Sequence, residues 1–145
     1  GSLSRQARNE RPMTEFLIFI GVVVVLGLVV FFLVQKKRKR FSARDKKWVA
    51  EKWKKIEGLA KTRPESAVLE ADKLCDWALK KCGYFGSFGD KLKKAKSLFS
   101  MYDGLWKAHR LRNKIAHEVD VIISEGEAKC ALAAFRQALR DMGAL

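Results

Sequence analysis

The sequence predicts an all-α protein in which a single N-terminal transmembrane helix precedes a basic juxtamembrane helix and a compact four-helix array. Three observations support this fold class. A run of nineteen apolar residues, 16–34, has the length of a membrane span. Later segments place apolar residues three and four positions apart, which is typical of amphipathic helices, and no segment shows the convincing alternation of a half-exposed strand.

The apolar run FLIFIGVVVVLGLVVFFLV carries no charge and no proline. At about 1.5 Å per residue it reaches about 28 Å, close to the hydrocarbon thickness of a bilayer. A cleavable signal peptide would end in small residues, whereas here bulky residues precede the basic run 36–40. A buried helix of a soluble protein would keep a polar face. We therefore predict a transmembrane helix over 16–34, after a short extracytoplasmic tail, 1–15.

Basic residues around the span predict its orientation. Eleven Lys and Arg lie between Lys36 and Lys55, whereas three precede the span. The positive-inside rule therefore places the N-terminus outside and the C-terminal domain in the cytoplasm. The Gly1-Ser2 start resembles a cloning scar, so Met13 is a candidate initiator and residues 1–12 need not be native.

The formal charge of +14 is concentrated beside the span, because residues 36–63 carry thirteen basic and three acidic groups. A basic segment of this kind is attracted to anionic lipid by about 1 kcal/mol per basic residue near the surface. A strip that binds or senses RNA is the alternative, since its electrostatic requirement is the same. We favour membrane lipids as the partner of this segment.

Cysteine and histidine usage restricts the possible chemistry. The three cysteines, Cys75, Cys82 and Cys130, are an odd number, which argues against a closed disulfide framework and fits a reducing compartment. The chain has only two histidines and no Cys-x2-Cys pair. We therefore predict no metal site and no cofactor.

The first helix after the span is predicted over 43–60, within a basic segment, 35–63. Its opposite face is mostly Lys and Glu, so the apolar face either docks on the downstream helices or lies on the membrane, and we favour docking. The residues predicted on this apolar face are Trp48, Val49, Trp53, Ile56, Leu59 and Ala60.

Residues 64–145 are predicted to contain four helices. Thr62 with Glu65, and Ser124 with Glu127, have the spacing of capping boxes at the start of the first and the last of them. The ends of these two helices are predicted at Gly83 and Gly143. The other predicted elements are a loop over 83–89, a helix over about 90–99, a helix over about 103–118 and an extended connector over 120–123.

Apolar periodicity predicts which residues of this array point inward. In the loop, Tyr84, Phe85 and Phe88 either fold back onto the core, which we favour, or flank a binding surface. The predicted inward residues of the four helices are Ala67, Val68, Ala71, Leu74, Cys75, Ala78, Leu79 and Cys82; Leu92, Ala95, Leu98 and Phe99; Leu105, Ala108, Leu111, Ile115 and Ala116; and Ala128, Ala131, Leu132, Phe135, Ala138, Leu139 and Met142.

Both histidines lie in one helical segment. At 100° per residue, His109, Asn113 and His117 advance by about 40° each and form one polar ridge, and Arg112 lies about 60° to the other side. Guanidinium groups bind phosphate oxygens, and imidazole can exchange a proton with a 2′-hydroxyl or a leaving 5′-oxygen. The ridge therefore suits RNA cleavage, for which a twofold dimer would supply two sets of groups. Alternatively, Asn113 and His117 bond exposed backbone carbonyls at the helix end.

The run Leu111-Arg112-Asn113-Lys114-Ile115-Ala116-His117-Glu118 resembles the signature of the HEPN superfamily, in which a polar residue follows an arginine and a histidine follows after four intervening residues in all. The resemblance covers about residues 64–145 and implies an up-and-down helical bundle that homodimerises and, in many members, cleaves RNA without metal. By position, Arg112 would stabilise phosphate charge, His117 would act as acid or base, and Asn113 would orient them. Other members are binding or dimerising modules without nuclease activity.

The sequence therefore predicts a membrane-tethered, homodimeric, metal-independent endoribonuclease of toxin or defence type. The alternative is a non-catalytic scaffold at the membrane. His109, Arg110 and Lys114 are the predicted substrate-binding residues, and the role of His109 rests on helical geometry alone. The expected partners are membrane lipids, a second copy of the chain, RNA, and an antitoxin or regulatory protein.

Overall fold

The computed structural model describes residues 3–38 and 40–145, with side chains described for 13–33 and 40–145. The Gly1-Ser2 start and the side chains of the basic residues 36–39 lie outside the described part. The chain divides into two compact units, Gly1–Arg38 and Lys39–Leu145. All regular elements of the described residues are helices, as the sequence predicts.

The first unit is one long helix, α1 (Leu3–Arg38). Its stretch Met13–Leu33 is long and apolar enough to cross a membrane, with a mean hydropathy of 3.3. Every side chain in this stretch is exposed, so α1 is not a buried core helix. The helix also includes residues 3–15, ahead of the predicted span. Charged residues such as Arg11 and Glu15 end the apolar run but do not by themselves interrupt a helix, so α1 is longer than the span.

The second unit contains five α-helices, and its central helix packs against three of the others. Residues Pro64–Lys81 form this central helix, which contacts the preceding helix and the two longest helices that follow it. In chain order the elements are α2 (Ala43–Thr62), α3 (Pro64–Lys81), α4 (Phe88–Lys94), a short 3-10 helix (Lys96–Leu98), α5 (Tyr102–His117) and α6 (Glu125–Asp141).

The α2 helix docks on α3 through the apolar face that the sequence predicts. Val49, Trp53 and Ile56 are buried, while Trp48 keeps 39% of its surface exposed. A capping box starts the helix, because Ser42 Oγ accepts from Asp45 N at 3.1 Å and Asp45 Oδ2 accepts from Ser42 N at 2.9 Å. Of the two alternatives for this face, the structure shows docking.

Most predicted inward residues of α3 to α6 are buried, but the carboxyl end of α5 differs. Leu105 and Ala108 are buried, Leu111 and Ile115 are half-buried, and Ala116 is exposed. The inward placement of Ala116 is therefore wrong. Ala116 lies at the helical angle that periodicity predicts, but the last turn of α5 extends past the core. Periodicity carries no information about where the neighbouring helices end.

The predicted capping box at Thr62 and Glu65 is also wrong. Thr62 is the last residue of α2, and Arg63 precedes α3 without a side-chain capping bond. Glu65 Oε1 instead accepts from Ile123 N at 3.4 Å. Only one residue separates the two helices, so Thr62 stays helical and cannot cap. The second predicted box is confirmed, since Ser124 Oγ accepts from Glu127 N at 3.1 Å.

The loop after α3 is shorter than the loop predicted over 83–89. Gly83, with a φ of +88°, ends α3 as predicted. The α4 helix begins at Phe88, inside the predicted loop, because Ser87 and Asp90 form a capping box that the sequence analysis missed. It stops after Lys94, and the chain continues as a 3-10 turn instead of the predicted helix to residue 99. Of the loop aromatics, Tyr84 and Phe88 pack against the core and Phe85 is exposed.

Candidate functional site on α5

A buried carboxylate on α3 organises the residues of α5. Asp72 is 4% exposed, and its Oδ1 lies 2.9 Å from His109 Nδ1. Its Oδ2 lies 3.2 Å from Arg112 Nε, within ion-pair distance but without the alignment of a hydrogen bond. A buried carboxylate requires such partners because its desolvation is otherwise costly. The packing of α3 on α5 therefore fixes an imidazole and a guanidinium at once.

Asp72 is not among the site residues predicted from the sequence, although the sequence carries a signal for it. Asp72 lies between Val68 and Cys75, one turn from each on the face that packs inward, where a carboxylate needs a partner. Cys75 beside it is a core residue, and its Sγ donates to Phe135 O at 3.4 Å. Burial, together with the negative charges of Asp72 and Asp76, raises the pKa of the Cys75 thiol well above its usual value. Burial and a raised pKa are typical of a structural cysteine.

A chain of hydrogen bonds along α5 joins the predicted site residues. Arg112 Nη1 donates to Asn113 Oδ1 at 3.0 Å, and Asn113 Nδ2 lies 3.3 Å from His109 Nε2. Since the Asp72 carboxylate can only accept, His109 Nδ1 carries its proton and Nε2 accepts from the amide of Asn113. Each group thus has a consistent role in the hydrogen-bond network.

Two aromatic rings enclose His109. The Phe88 ring centroid lies 4.6 Å from the imidazole centroid, and the Trp106 ring approaches edge-on at 6.0 Å. His109 itself is 9% exposed. Because both ring nitrogens have hydrogen-bond partners and two aromatic rings pack against the imidazole, His109 is held in a fixed position.

A cavity of about 620 Å³ opens beside this network, between α3, α4 and α5. Four Lys and Arg side chains and two Asp carboxylates line it, so its formal charge is net positive. Lys91, which is almost fully buried, and Lys80, at 3.0 Å, both donate to Asp76. Burial raises the pKa of Asp76, but the hydrogen bonds from Lys91 and Lys80 outweigh it and hold the pKa below its usual value.

The remaining predicted residues lie away from this network. His117 is exposed in the last turn of α5, eight residues beyond His109, which corresponds to about 12 Å along the helix axis. Arg110 and Lys114 are exposed and line a different groove, of about 900 Å³, between α5 and α6. The structure therefore brings together His109, Arg112 and Asn113, and leaves the other three on the outer surface of the helix.

The alternative in which Asn113 and His117 cap the helix is only partly compatible with these positions. The described contacts of the Asn113 side chain are with Arg112 and His109, and include no carbonyl at the helix end. His117 lies in the last turn, where a positive group interacts favourably with the helix dipole. Asn113 therefore belongs to the Asp72 network, whereas His117 is free of it.

Within the described residues, no three His, Cys, Asp or Glu side chains lie close enough to hold a metal ion. Comparison of the chain with protein-family models, with curated proteins and with solved structures found no match.

Proposed function

We propose that this chain is a membrane-tethered, HEPN-like homodimer that cleaves RNA without a metal ion, as part of a toxin or defence system. The observation that carries the proposal is the arrangement of α5. Arg112 and Asn113 are held in fixed positions by Asp72 and His109. His117 is exposed on the same helix, five residues after Arg112. This separation is about 7.5 Å along the axis.

The proposed chemistry uses the 2′-hydroxyl of RNA as the nucleophile. Its oxygen attacks the adjacent phosphorus, and the bond from phosphorus to the 5′-oxygen breaks, which leaves a 2′,3′-cyclic phosphate and a 5′-hydroxyl. Arg112 is half-buried, and the donors that Asp72 and Asn113 do not occupy can bind the phosphate oxygens. His117 exchanges a proton at the 2′-oxygen or the 5′-oxygen.

One copy of the site offers one exposed imidazole, whereas the reaction requires both the removal and the delivery of a proton. A second copy across a twofold axis would supply the other His117 and a second Arg112. Tethering two chains in one membrane raises their effective concentration and favours this pairing. The dimer is therefore part of the proposed mechanism.

The location of the proposed activity follows from the basic residues that flank the span. The excess of Lys and Arg after residue 35 favours a cytoplasmic C-terminal domain and an external N-terminus. RNA would then be accessible to the second unit, and anionic lipids would contact the basic segment. An antitoxin or another regulatory protein would restrain the activity until it is required.

A non-catalytic scaffold is the second candidate, and a specific observation favours it. Asp72 already forms a hydrogen bond with His109 and an ion pair with Arg112 within the protein, so the network stabilises the contact between α3 and α5 without any substrate. A scaffold of this kind would dimerise or hold a partner protein at the membrane. It predicts that Arg112→Ala lowers stability and that RNA is left intact.

The two candidates are separated by incubating the full chain, in detergent micelles with EDTA, with end-labelled structured and unstructured RNA. We expect cleavage by the wild type with 2′,3′-cyclic phosphate ends, and loss of cleavage in Arg112→Ala and His117→Ala. Lys93→Ala, a change at an exposed residue of α4, is the control. Equal cleavage by wild type and both site variants, or cleavage by none of them, would refute the nuclease proposal.

A further inference from the structure

A surface of tryptophan and lysine side chains lies where α2 packs on α3, outside the proposed nuclease site. We call it the aromatic patch and define it by Trp48, Lys52, Lys55 and Trp77. The Trp48 and Trp77 ring centroids are 4.6 Å apart with a tilt of 51°, and the Phe41 ring lies 6.0 Å from Trp77. None of these four residues lines the cavity beside His109.

The cations of the patch are available for a ligand. Lys52 Nζ lies 5.5 Å from the centroid of the Trp48 ring. Lys52 and Lys55 are exposed and form no ion pair with the described residues, whereas Lys81, over Trp77, pairs with Asp45 at 2.9 Å. Lys52 and Lys55 line a groove of about 300 Å³ between α2 and α3, and Ile56, Leu59 and Leu74 are among its apolar lining residues.

This combination of groups suits the boundary between water and lipid. An indole ring has an apolar body and one polar N–H, and tryptophan is therefore enriched at the headgroup level of membranes. Lysine extends its charged end to the lipid phosphates while its aliphatic stem covers apolar surface. A tryptophan that is 39% exposed beside two unpaired lysines is therefore better matched to an anionic bilayer than to water alone.

The covalent chain favours lipid over RNA as the occupant. Seven residues lead from Val34, the end of the predicted span, to Phe41 at the edge of the patch. Fully extended, they cover at most about 25 Å, whatever the arrangement of the two units. If 16–34 crosses the membrane, the patch is held near a lipid surface at all times, whereas RNA would have to diffuse to it.

We infer that the aromatic patch docks on the anionic lipid of the leaflet that the chain enters, with Trp48 at the headgroup level and Lys52 and Lys55 at the lipid phosphates. The inference depends on the predicted span and is independent of the nuclease proposal. Docking would fix one face of the second unit on the bilayer.

Quenching of tryptophan fluorescence by brominated acyl chains tests the contact directly. The full chain is placed in nanodiscs of phosphatidylcholine, with or without phosphatidylglycerol, and with normal or brominated chains. All four tryptophans lie between Trp48 and Trp106, so the span contributes no signal. We expect quenching in the anionic nanodiscs, loss of most of it in Trp48→Phe, and full retention in Trp106→Phe.

Charge reversal tests the role of the lysines. Lys52→Glu with Lys55→Glu should abolish the difference in tryptophan quenching between anionic and neutral nanodiscs. The matched control, Lys107→Glu with Lys114→Glu, changes two exposed lysines of α5 by the same charge and should preserve it. Unfolding temperatures within a few degrees of the wild type show that the variants remain folded.

Three results would overturn the inference. The first is no quenching by brominated lipid, and the second is equal quenching in the wild type and Trp48→Phe. The third is a change of Trp48 emission on addition of poly(U) in micelles with no response to brominated nanodiscs, which would make RNA the occupant. Because none of these measurements reads RNA cleavage, failure of the nuclease proposal leaves the expected quenching unchanged.

Discussion

Asp72 Oδ1 lies 2.9 Å from His109 Nδ1 across the contact between α3 and α5. The same carboxylate approaches Arg112 through its other oxygen, so one buried acid positions two of the groups that the sequence places in a candidate RNA site. Any change at Asp72 should therefore affect both folding stability and the geometry of Arg112.

Asp72→Asn should lower the free energy of unfolding by about 1–3 kcal/mol, because it removes the charge from a buried hydrogen bond and from the ion pair with Arg112. Thermal unfolding of the full chain in micelles, followed by tryptophan fluorescence, measures this change for the second unit. Asp103→Asn, at an exposed position in the first turn of α5, should cost less than about 1 kcal/mol. Equal effects of the two changes would show that Asp72 does not hold the network.

Asp76 and Lys91 form an ion pair whose two members differ in exposure. The Lys91 side chain is 2% exposed, and the Asp76 side chain is 25% exposed and has Lys80 as a second partner. Asp76→Asn leaves a buried ammonium without a counter-charge and should cost about 3 kcal/mol, whereas Lys91→Met leaves a partly solvated, still paired carboxylate and should cost less. Urea titration measures the loss of unfolding free energy in each variant. A larger loss in Lys91→Met than in Asp76→Asn would contradict the expected order.

Asp45 should make stability depend on pH in acid. The hydrogen bond from Lys81, followed by those from Ser42, lowers its pKa from 3.8 to about 2. The ionised form is therefore the one that the fold favours, and its contribution is complete above pH 3.8 and is lost as the pH falls towards 2. Asp45→Asn should reduce the fall of the unfolding temperature over this range, and Lys81→Met should reproduce part of the effect. An unchanged pH profile in both variants would exclude this role.

Two glycines should respond to alanine in opposite directions. Gly83 has a φ of +88°, so Gly83→Ala should destabilise by about 1–2 kcal/mol through backbone strain alone, since nothing lies within 4 Å of the added carbon. Gly58, in α2, also has nothing within 4 Å, and Gly58→Ala should stabilise by about 0.5–1 kcal/mol through helix propensity. The unfolding temperatures of the two variants measure these effects. A shift in the same direction for both would contradict the expected opposite signs.

The elements predicted best are those determined by local sequence. The apolar stripe of α3, the termination at Gly83 and the cap at Ser124 depend on residues within one or two turns, and all three are confirmed. Thr62 and Ala116 were misplaced because their environment depends on where a neighbouring helix begins or ends. Spacing rules contain no such information.

The candidate site was predictable along α5 but not across it. Helical angles correctly bring His109 next to Asn113, since they are four residues apart on one helix. Asp72 lies 37 residues away from His109 in sequence, and only the packing of α3 on α5 brings it to the imidazole. The burial of His109 and the exposure of His117 likewise follow from this packing, which periodicity alone does not determine.

The proposed role of His117 in RNA cleavage can be tested directly, because its side chain is exposed. The measurement is the rate at which the full chain, in EDTA, cleaves a fluorogenic RNA, compared between the wild type and His117→Ala. Equal unfolding temperatures of the two proteins show that the variant remains folded. We expect RNA cleavage by the wild type and a loss of at least about 100-fold in the variant, the usual contribution of general acid–base catalysis. Equal rates in the two proteins, or no cleavage by the wild type, would exclude this role for His117.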